Sequence, residues 1–300
     1  MHEKTRPKRR RTSAFVKILA VLTAVCGALV AAGYYVITSI EPVEIDPPVA
    51  AGCTVTVDGT EDPLDPEQAA SAATVGGVAF SRDLPEHAVV VAYATVWQET
   101  KFFNIDYGDR DSLGLFQQRP SQEWGEPDQI MDPVYASNEF YAHLEEVDGY
   151  ADIPVYEAAQ AVQRSADGFA YDQHEKRSRL MARAFTGAEG PAVTCWPEEP
   201  ARTPGEPAPA PSPSAPADVD AAAAEMERVF GADPGALPAP GAQPQTGDLG
   251  WAMALWAVAN SEEYGLTSVG YQDQRWTAED GQEGWQSVPD HAPDGQVVLG

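Results

Sequence analysis

The sequence predicts a mainly α-helical domain, preceded by one transmembrane helix and followed by a Pro-rich linker and a small α+β module. Three observations lead to this fold class: an uninterrupted apolar run near the N-terminus, apolar residues at helical spacing further along, and a later proline-rich stretch. The chain of 300 residues divides into a basic tail (1–17), a transmembrane helix (18–40), a stalk (41–52), a helical domain (53–196), a Pro/Ala-rich linker (197–245) and a module of unknown role (246–300).

The chain is acidic, and its charge is unevenly distributed. It carries 19 Lys and Arg against 46 Asp and Glu, and seven of the basic residues lie within residues 1–40 beside a single acid. The rest of the chain therefore has 12 basic and 45 acidic residues, a net charge of −33. Such a surface repels phosphate backbones, so nucleic acid is not expected as a partner.

The N-terminal region predicts a membrane anchor. Ile18 to Ile40 are 23 uncharged, mostly apolar residues, enough to cross a hydrocarbon core of about 30 Å. Because basic residues stay on the cytoplasmic side, the tail predicts a single-pass protein of the cell membrane with a cytoplasmic N-terminus and extracytoplasmic C-terminal domains. A cleaved signal peptide is the alternative. We favour the anchor, because the run is long for a signal peptide and no A-x-A motif precedes Tyr34.

Cys53 and Cys195 lie at the two ends of the predicted helical domain, in the part of the chain expected outside the cytoplasm. Disulfides persist there, so we predict a bridge between them, with two free thiols as the alternative. The bridge would close a loop of about 140 residues and stabilise the fold by about 4–5 kcal/mol in the chain-entropy model. Neither cysteine belongs to a CxxC pair, so a zinc site is not indicated.

The helices of the domain are predicted from start signals and apolar spacing. Asp65 and Pro66 are typical of an N-cap and a first helical residue. Pro85 opens a second helix, whose apolar residues follow one stripe as far as Glu99. Three further helices are expected over 132–147, 154–165 and 171–187.

Beyond residue 196 the sequence predicts a spacer and a second folded unit. Eight prolines between Pro197 and Pro216 indicate an extended, polyproline-like segment. A short helix is expected around 218–230. An amphipathic helix from about Asp248, followed by three short strands, predicts the small α+β module.

The chemistry is expected where the second helix of the domain ends. Glu99 follows apolar and aromatic residues of that helix, and such surroundings disfavour the ionised carboxylate and raise its pKa. Glycosidic cleavage needs a carboxylic acid that protonates the leaving oxygen. A solvated glutamate at a helix end is the alternative. A polar turn rich in Gly and Asp follows, and Gly114 then opens the motif G-L-F-Q.

These two motifs, Gln98-Glu99-Thr100 and Ser112 to Gln117, resemble the lysozyme-like superfamily, specifically soluble lytic transglycosylases and goose-type lysozymes. In that pattern a helix ends in E-S, and the element after a loop opens with G-L-M-Q. The resemblance covers about residues 65–187 and includes the D-P that opens a later helix at Asp132. The segment Gln163 to Gly168 departs from the family's Tyr-Asn-Gly-like turn.

The resemblance implies a lysozyme-like fold and Glu99 as the general acid that cleaves the MurNAc–GlcNAc bond of peptidoglycan strands. In goose-type lysozymes a loop aspartate positions water, and Asp111, ahead of Asp109, is expected in that role. Transglycosylases need no second carboxylate. The residues expected to bind substrate are Thr100, Ser112, Gly114, Leu115, Phe116, Gln117, Gln118 and Trp124.

Other partners and rival functions follow from the same features. Proteins of cell-wall synthesis or remodelling are expected partners of an anchored enzyme at the wall. A catalytically inactive wall-binding or scaffold protein that kept the fold is the alternative. Asp109-x-Asp111 suggests a calcium loop, but Leu113 and Pro120 stand where an EF-hand requires carboxylates. A looser calcium site at Asp106 and Asp109 remains as an alternative, and no metal or cofactor is predicted.

Overall fold

The computed structural model describes residues 14–39, 49–164, 169–198, 217–238, 245–289 and 292–300. About 51% of the chain is helical, which confirms the predicted mainly α-helical class. The helices are α1 (Ala14–Ser39), α2 (Pro66–Ser81), α3 (Glu86–Glu99), α4 (Pro127–Ile130), α5 (Pro133–Glu145), α6 (Val155–Gln163), α7 (Glu175–Phe185), α8 (Val219–Phe230), α9 (Leu249–Ala259) and α10 (Ser261–Tyr264).

The strands form two small antiparallel sheets. One has the order β2-β1-β3 and the other β6-β5-β4-β7. The strands are β1 (Gly52–Val57), β2 (Thr60–Leu64), β3 (Val193–Trp196), β4 (Ser268–Tyr271), β5 (Gln274–Thr277), β6 (Gln286–Ser287) and β7 (Val297–Leu299).

The apolar N-terminal run forms α1, which is a unit separate from the described residues after 48. Within α1, Val16–Tyr35 has a mean hydropathy of 2.2 and is long and apolar enough to cross a membrane. None of the described side chains in this window is buried. The predicted N-terminal apolar helix is therefore present, and it begins four residues before the expected start at residue 18.

Helix α2 begins as its sequence predicts and lies in the core. The Asp65 carboxylate accepts a hydrogen bond from the backbone of Glu67, and the Gln68 side chain accepts one from the backbone of Asp65. This reciprocal capping box satisfies two of the unpaired N–H groups at the helix start. Nearly all residues from Ala69 to Phe80 are buried, so α2 packs on several sides at once, against α3, α5, α8 and α9.

Helix α3 places Glu99 at the edge of the core. Residues Ala88 to Trp97 are buried, because α3 packs against α6 and α7. The helix ends when Lys101 and Phe102 adopt left-handed backbone angles, with φ of 57° and 67°. The chain turns there, and Glu99 is left as the last residue of a helix that is otherwise almost wholly enclosed.

The first sheet joins the beginning of the domain to its end. Strand β1 pairs with β3 in a register that sets Cys53 opposite Cys195, and the two form the predicted disulfide. Strand β2, which was not predicted, pairs with the other side of β1. It contains Pro63, which an edge strand tolerates because its outer side forms no ladder hydrogen bonds.

The described residues after 216 belong to the same compact unit as the helical domain, whereas the sequence predicts a separate module from 246. The predicted helices and three strands are present as α8, α9, β4, β5 and β7. The indole N–H of Trp256 donates to the hydroxyl of Thr74 at 3.0 Å, and that of Trp276 donates to the carbonyl of Cys195 at 3.1 Å. A segment of this length has too little core of its own, so it buries its apolar surface against α2 and β3.

Candidate active site

Glu99 is half-buried, and its carboxyl has two defined partners. The hydroxyl of Tyr171 donates to Glu99 Oε1 at 3.0 Å, and Nε2 of Gln163 lies 3.4 Å from the same oxygen. Burial raises the pKa of the Glu99 carboxyl above its usual value, and the two hydrogen bonds oppose that shift without cancelling it. The carboxyl therefore keeps its proton to a higher pH than an exposed glutamate, as a general acid requires.

A turn formed by residues 113–118 holds the helix end that carries this glutamate. The turn is closed by two backbone hydrogen bonds between its first and last residues, of 2.9 and 3.0 Å. The hydroxyl of Thr100 donates to the carbonyl of Leu115 at 2.9 Å. Nε2 of Gln163 donates to the carbonyl of Phe116 at 2.9 Å. Hydrogen bonds thus link the turn to Thr100, which follows Glu99 in the chain, and to Gln163, which contacts the Glu99 carboxyl.

Gly114 is required in this turn on two grounds. Its φ is 72°, a left-handed value that glycine adopts without steric cost. A β-carbon at this position would lie 2.5 Å from the carbonyl oxygen of Ile130. The neighbouring side chains of Leu115 and Phe116 are fully buried, and Phe116 stacks on Phe140 with ring centroids 4.5 Å apart. Leu115 and Phe116, expected to bind substrate, act through their backbone carbonyls and anchor the turn to α5.

Of the two glutamines of the turn, Gln118 departs from its expected role and Gln117 does not. Gln118 is 1% exposed, and its Nε2 donates to the carbonyl of Ala136 at 3.0 Å. The prediction that Gln118 contacts substrate is therefore wrong, because its buried amide supports the turn from the side of α5. Gln117 does line a cavity beside Glu99, while its Nε2 donates to the carbonyl of Tyr107 at 3.3 Å.

Glu99 lines two cavities. The first, which we call the arginine-lined cavity, has a volume of about 700 Å³ and is lined by Glu99 with Arg110, Arg119, Arg164 and others. The second, which we call the loop-lined cavity, has a volume of about 660 Å³ and is formed largely by residues 98–107. Glu99 is the residue common to both linings. A polymer that occupied both cavities would therefore pass the Glu99 carboxyl.

The loop aspartates have different roles. Asp111 accepts hydrogen bonds from the backbone N–H of Ser121 and from Nε of Arg119, both at 2.8 Å. These contacts with Ser121 and Arg119 hold the pKa of Asp111 well below its usual range. Asp109 has a side chain that is 93% exposed and lines the arginine-lined cavity. Asp109 is therefore the loop carboxylate exposed to the cavity, whereas the carboxylate of Asp111, expected ahead of it from the sequence, is occupied in folding the loop.

The remaining predicted residues lie in or beside the arginine-lined cavity. Ser112 and Trp124 both line it. The Trp124 ring is half-buried and packs against the ring of His143, with centroids 4.2 Å apart. Thr100 lines the loop-lined cavity, although only 8% of it is exposed. Its hydroxyl is used in the bond to the turn, so Thr100 positions the acid.

Gln163 and Tyr171 are the site residues that sequence reasoning missed. They stand 64 and 72 positions after Glu99, and no local pattern brings them within reach of it. In the sequence, Gln163 stands only at the start of the segment that departs from the family pattern. It is the last residue of α6, an amphipathic helix that buries its apolar face. The following residues 165–168, which carry the rest of that departure, lie outside the described residues.

The alternative calcium site finds no support in the arrangement of its two carboxylates. Asp106 lines the loop-lined cavity, whereas Asp109 lines the arginine-lined cavity. Across the part of the chain that the structure describes, no group of three or more His, Cys, Asp or Glu side chains is placed to hold a metal ion.

Comparison with known proteins adds no assignment of its own. No protein-family model matches the chain, and no curated protein matches it.

Proposed function

We propose that the protein is a membrane-anchored, extracytoplasmic enzyme with a lysozyme-like fold that cleaves the MurNAc–GlcNAc bond of peptidoglycan. The observation that carries this proposal is the half-buried carboxyl of Glu99, raised in pKa and common to two cavities. The substrate class comes from the resemblance of Glu99-Thr100 and Gly114 to Gln117 to the motifs of lytic transglycosylases and goose-type lysozymes.

In the reaction we propose, the protonated Glu99 donates its proton to the glycosidic oxygen as the bond from that oxygen to the sugar carbon breaks. The resulting carboxylate then takes a proton from the nucleophile, which is water or a hydroxyl of the same sugar. Water leaves a reducing end, and the sugar hydroxyl leaves an anhydro ring. Tyr171 and Gln163 donate to Oε1 and stabilise the carboxylate that forms in the first step.

The shape of the site suits a polymer. A glycan strand has sugars on both sides of the bond that is cut, and the two cavities provide space on either side of one carboxyl. In the arginine-lined cavity, the half-buried Trp124 ring offers an apolar surface of the kind on which sugar rings pack.

The proposed location rests on α1. Val16–Tyr35 is long and apolar enough to cross a membrane, and the basic tail before it favours a cytoplasmic N-terminus. An anchored enzyme with its folded unit outside the cell would act on the polymer next to the membrane. The predicted disulfide between Cys53 and Cys195 agrees with an oxidising compartment.

The test is the replacement Glu99→Gln, with muropeptides analysed by mass spectrometry after digestion of purified sacculi. Cleavage is expected to fall by roughly 10²–10⁴-fold, the usual contribution of a general acid, while the thermal transition stays nearly unchanged. Glu86→Gln is the matched control, because Glu86 lies at the other end of α3 and its pKa is also raised by burial. That variant should retain full activity.

The same measurement separates the rival interpretations. Wild-type levels of muropeptide release by Glu99→Gln would contradict the assignment of Glu99 as the general acid. A wild-type protein that binds sacculi without releasing muropeptides would identify an inactive wall-binding protein. Anhydro or reducing ends in the products would identify the nucleophile.

A further inference from the structure

Cations are scarce in this protein outside its N-terminal tail, yet three of them line one cavity. Only 12 basic residues follow residue 40, and Arg110, Arg119 and Arg164 all lie in the wall of the arginine-lined cavity. Arg119 is committed to Asp111 through a 2.8 Å ion pair. Arg110 and Arg164 are exposed, so their guanidinium groups are available to a ligand.

Among the described residues, neither of these two arginines forms a close ion pair with an acid. Arg110 is 3.9 Å from the exposed carboxylate of Asp109, a long and solvated contact. Among the described residues, Arg164 forms no ion pair with any acid. Apart from Glu99, the cavity is lined by three arginines against the two acids Asp109 and Glu146.

The loop-lined cavity has the opposite balance. Apart from Glu99, its lining contains Lys101 as a single cation against the two acids Glu67 and Asp106. An anionic group would therefore find two guanidinium groups without a close ion pair in the described lining of the arginine-lined cavity, and a net acidic lining in the loop-lined cavity. Guanidinium groups bind carboxylates through paired hydrogen bonds, which gives the arginine-lined cavity a chemical preference.

Both arginines have backbone angles at which glycine would be the least strained residue. Arg110 has φ of 61° and Arg164 has φ of 50°, in the left-handed region that favours glycine. Arg164 caps the C-terminus of α6, a position that glycine most often occupies. A cation there also interacts favourably with the helix dipole, whereas Arg110 lies in a loop.

We propose that Arg110 and Arg164 bind the carboxylates of the short peptides carried by peptidoglycan strands, so that the enzyme prefers peptide-bearing strands to bare glycan. The inference rests on the proposed function and deepens it. In a peptide-bearing strand the lactyl carboxyl of MurNAc is held in the amide to the peptide, so the sugars are uncharged and the peptides supply the carboxylates. Strand orientation would follow as well, since the peptide next to the cut bond would lie on the arginine side of Glu99.

The test compares two substrates: peptide-bearing strands, and strands from which an amidase has removed the peptides and whose freed lactyl carboxylates have been converted to amides (the stripped strands). The full-length protein in detergent is assayed as wild type, Arg164→Gly and Arg110→Gly. Glycine suits a positive φ, so both variants remove the charge and retain the backbone. Each is expected to lower kcat/KM on peptide-bearing strands by roughly fivefold, mainly through KM, as for a solvent-exposed charged contact. Rates on stripped strands should stay within about twofold.

Lys101→Gly is the matched control. Lys101 is also an exposed cation at a positive φ, of 57°, but it lines the loop-lined cavity. This variant should leave the ratio of the two rates as it is in the wild type. A preference that is unchanged in both arginine variants, or a loss that is equal on both substrates, would overturn the inference.

A binding measurement separates this inference from the proposed function. In the Glu99→Gln background, soluble peptide-bearing fragments should bind about 25-fold more tightly than stripped fragments, about fivefold from each arginine, and adding Arg110→Gly and Arg164→Gly together should abolish the difference. A wild-type protein that cleaves neither substrate would contradict the proposed function, and the binding comparison would still decide the inference. Equal affinity for the two fragments would overturn it.

Discussion

Behind Glu99 the turn of residues 113–118 is largely enclosed, whereas Asp109, Arg110 and Arg164 in front of it are exposed. The enclosed turn is held by hydrogen bonds from Thr100 and Gln163, at fixed distances of 2.9 Å. The exposed residues have few such bonds. The enclosed turn therefore sets the position and protonation of the Glu99 carboxyl. The exposed residues, which we call the rim, are free to contact and select the ligand.

Mutations in the enclosed turn and mutations at the exposed residues should have different effects. A change in the enclosed turn should reduce stability and activity together, because the same bonds serve both. A change at the rim should alter activity or products at nearly constant stability, because surface substitutions away from special backbone positions have small effects on folding.

The largest effect is expected for Gly114→Ala. The added β-carbon would lie 2.5 Å from the carbonyl oxygen of Ile130, at a φ of 72°, so we expect a loss of roughly 2–4 kcal/mol in the free energy of unfolding and little remaining activity. Gly149→Ala is the control, because φ is 69° there and no atom lies within 4 Å of the added carbon. It should lose only about 1 kcal/mol. Equal losses in urea unfolding would show that the close approach to Ile130 is unimportant.

The next effect is expected for Thr100→Val, which removes the hydroxyl that donates to the carbonyl of Leu115. A buried acceptor loses its partner, so stability should fall by about 1–3 kcal/mol, and kcat should fall with it. Thr95→Val is the control, since its hydroxyl bonds only to Val91 one turn earlier in the same helix. Thr100→Ser should restore most of the activity. If Thr100→Val proved as active as wild type, the bond to the turn would not position the acid.

A smaller effect, on pH dependence, is expected for Tyr171→Phe. The tyrosine hydroxyl donates to Glu99 and favours the ionised carboxylate, so its removal should raise the pKa of Glu99 further. The general acid must be protonated, and the alkaline limb of the activity profile should therefore move to higher pH. Tyr156→Phe, which removes a hydroxyl bonded to the exposed Glu157, should leave the limb in place. A limb that moves to lower pH in Tyr171→Phe would contradict the assignment.

The smallest effect on stability is expected at the rim aspartate. Asp109→Asn should leave the thermal transition unchanged and reduce reducing-end products relative to anhydro products, if Asp109 positions water. Asp111→Asn should instead lower the thermal transition, because it weakens the contacts with Ser121 and Arg119. The pKa of Asp111 is lowered in the folded protein, so its contribution is present above its unfolded pKa of about 3.9 and is lost as pH falls. The difference between Asp111→Asn and wild type should therefore shrink in acid.

Local signals predicted much of the fold. Asp65 and Pro66 marked the start of α2, and Pro85 marked the start of α3, because caps and prolines act on their immediate neighbours. Strand β2 was missed, since a proline and two acids are unusual in a strand and only its edge position allows them. The sequence also predicted a separate C-terminal module, whereas the described C-terminal residues pack into one compact unit with the helical domain. An apolar helix face does not reveal which surface it packs against.

The sequence alone determined the mainly α-helical class, the apolar N-terminal helix, the pairing of Cys53 with Cys195 and the choice of Glu99 as the candidate acid. The first two depend on composition and apolar spacing, the cysteine pairing on the expected compartment, and the choice of Glu99 on the resemblance of its motif to that of the lysozyme-like superfamily. Only the tertiary structure decided that Gln163 and Tyr171 hold Glu99, that Gln118 is buried, and that Asp111 is occupied while Asp109 is exposed. The contacts of Glu99 depend on how α3 packs against α6 and α7, and contacts between residues 64 and 72 positions apart leave no periodic signal in a single sequence. The burial of Gln118 depends on α5, and the state of Asp111 on Arg119 and Ser121.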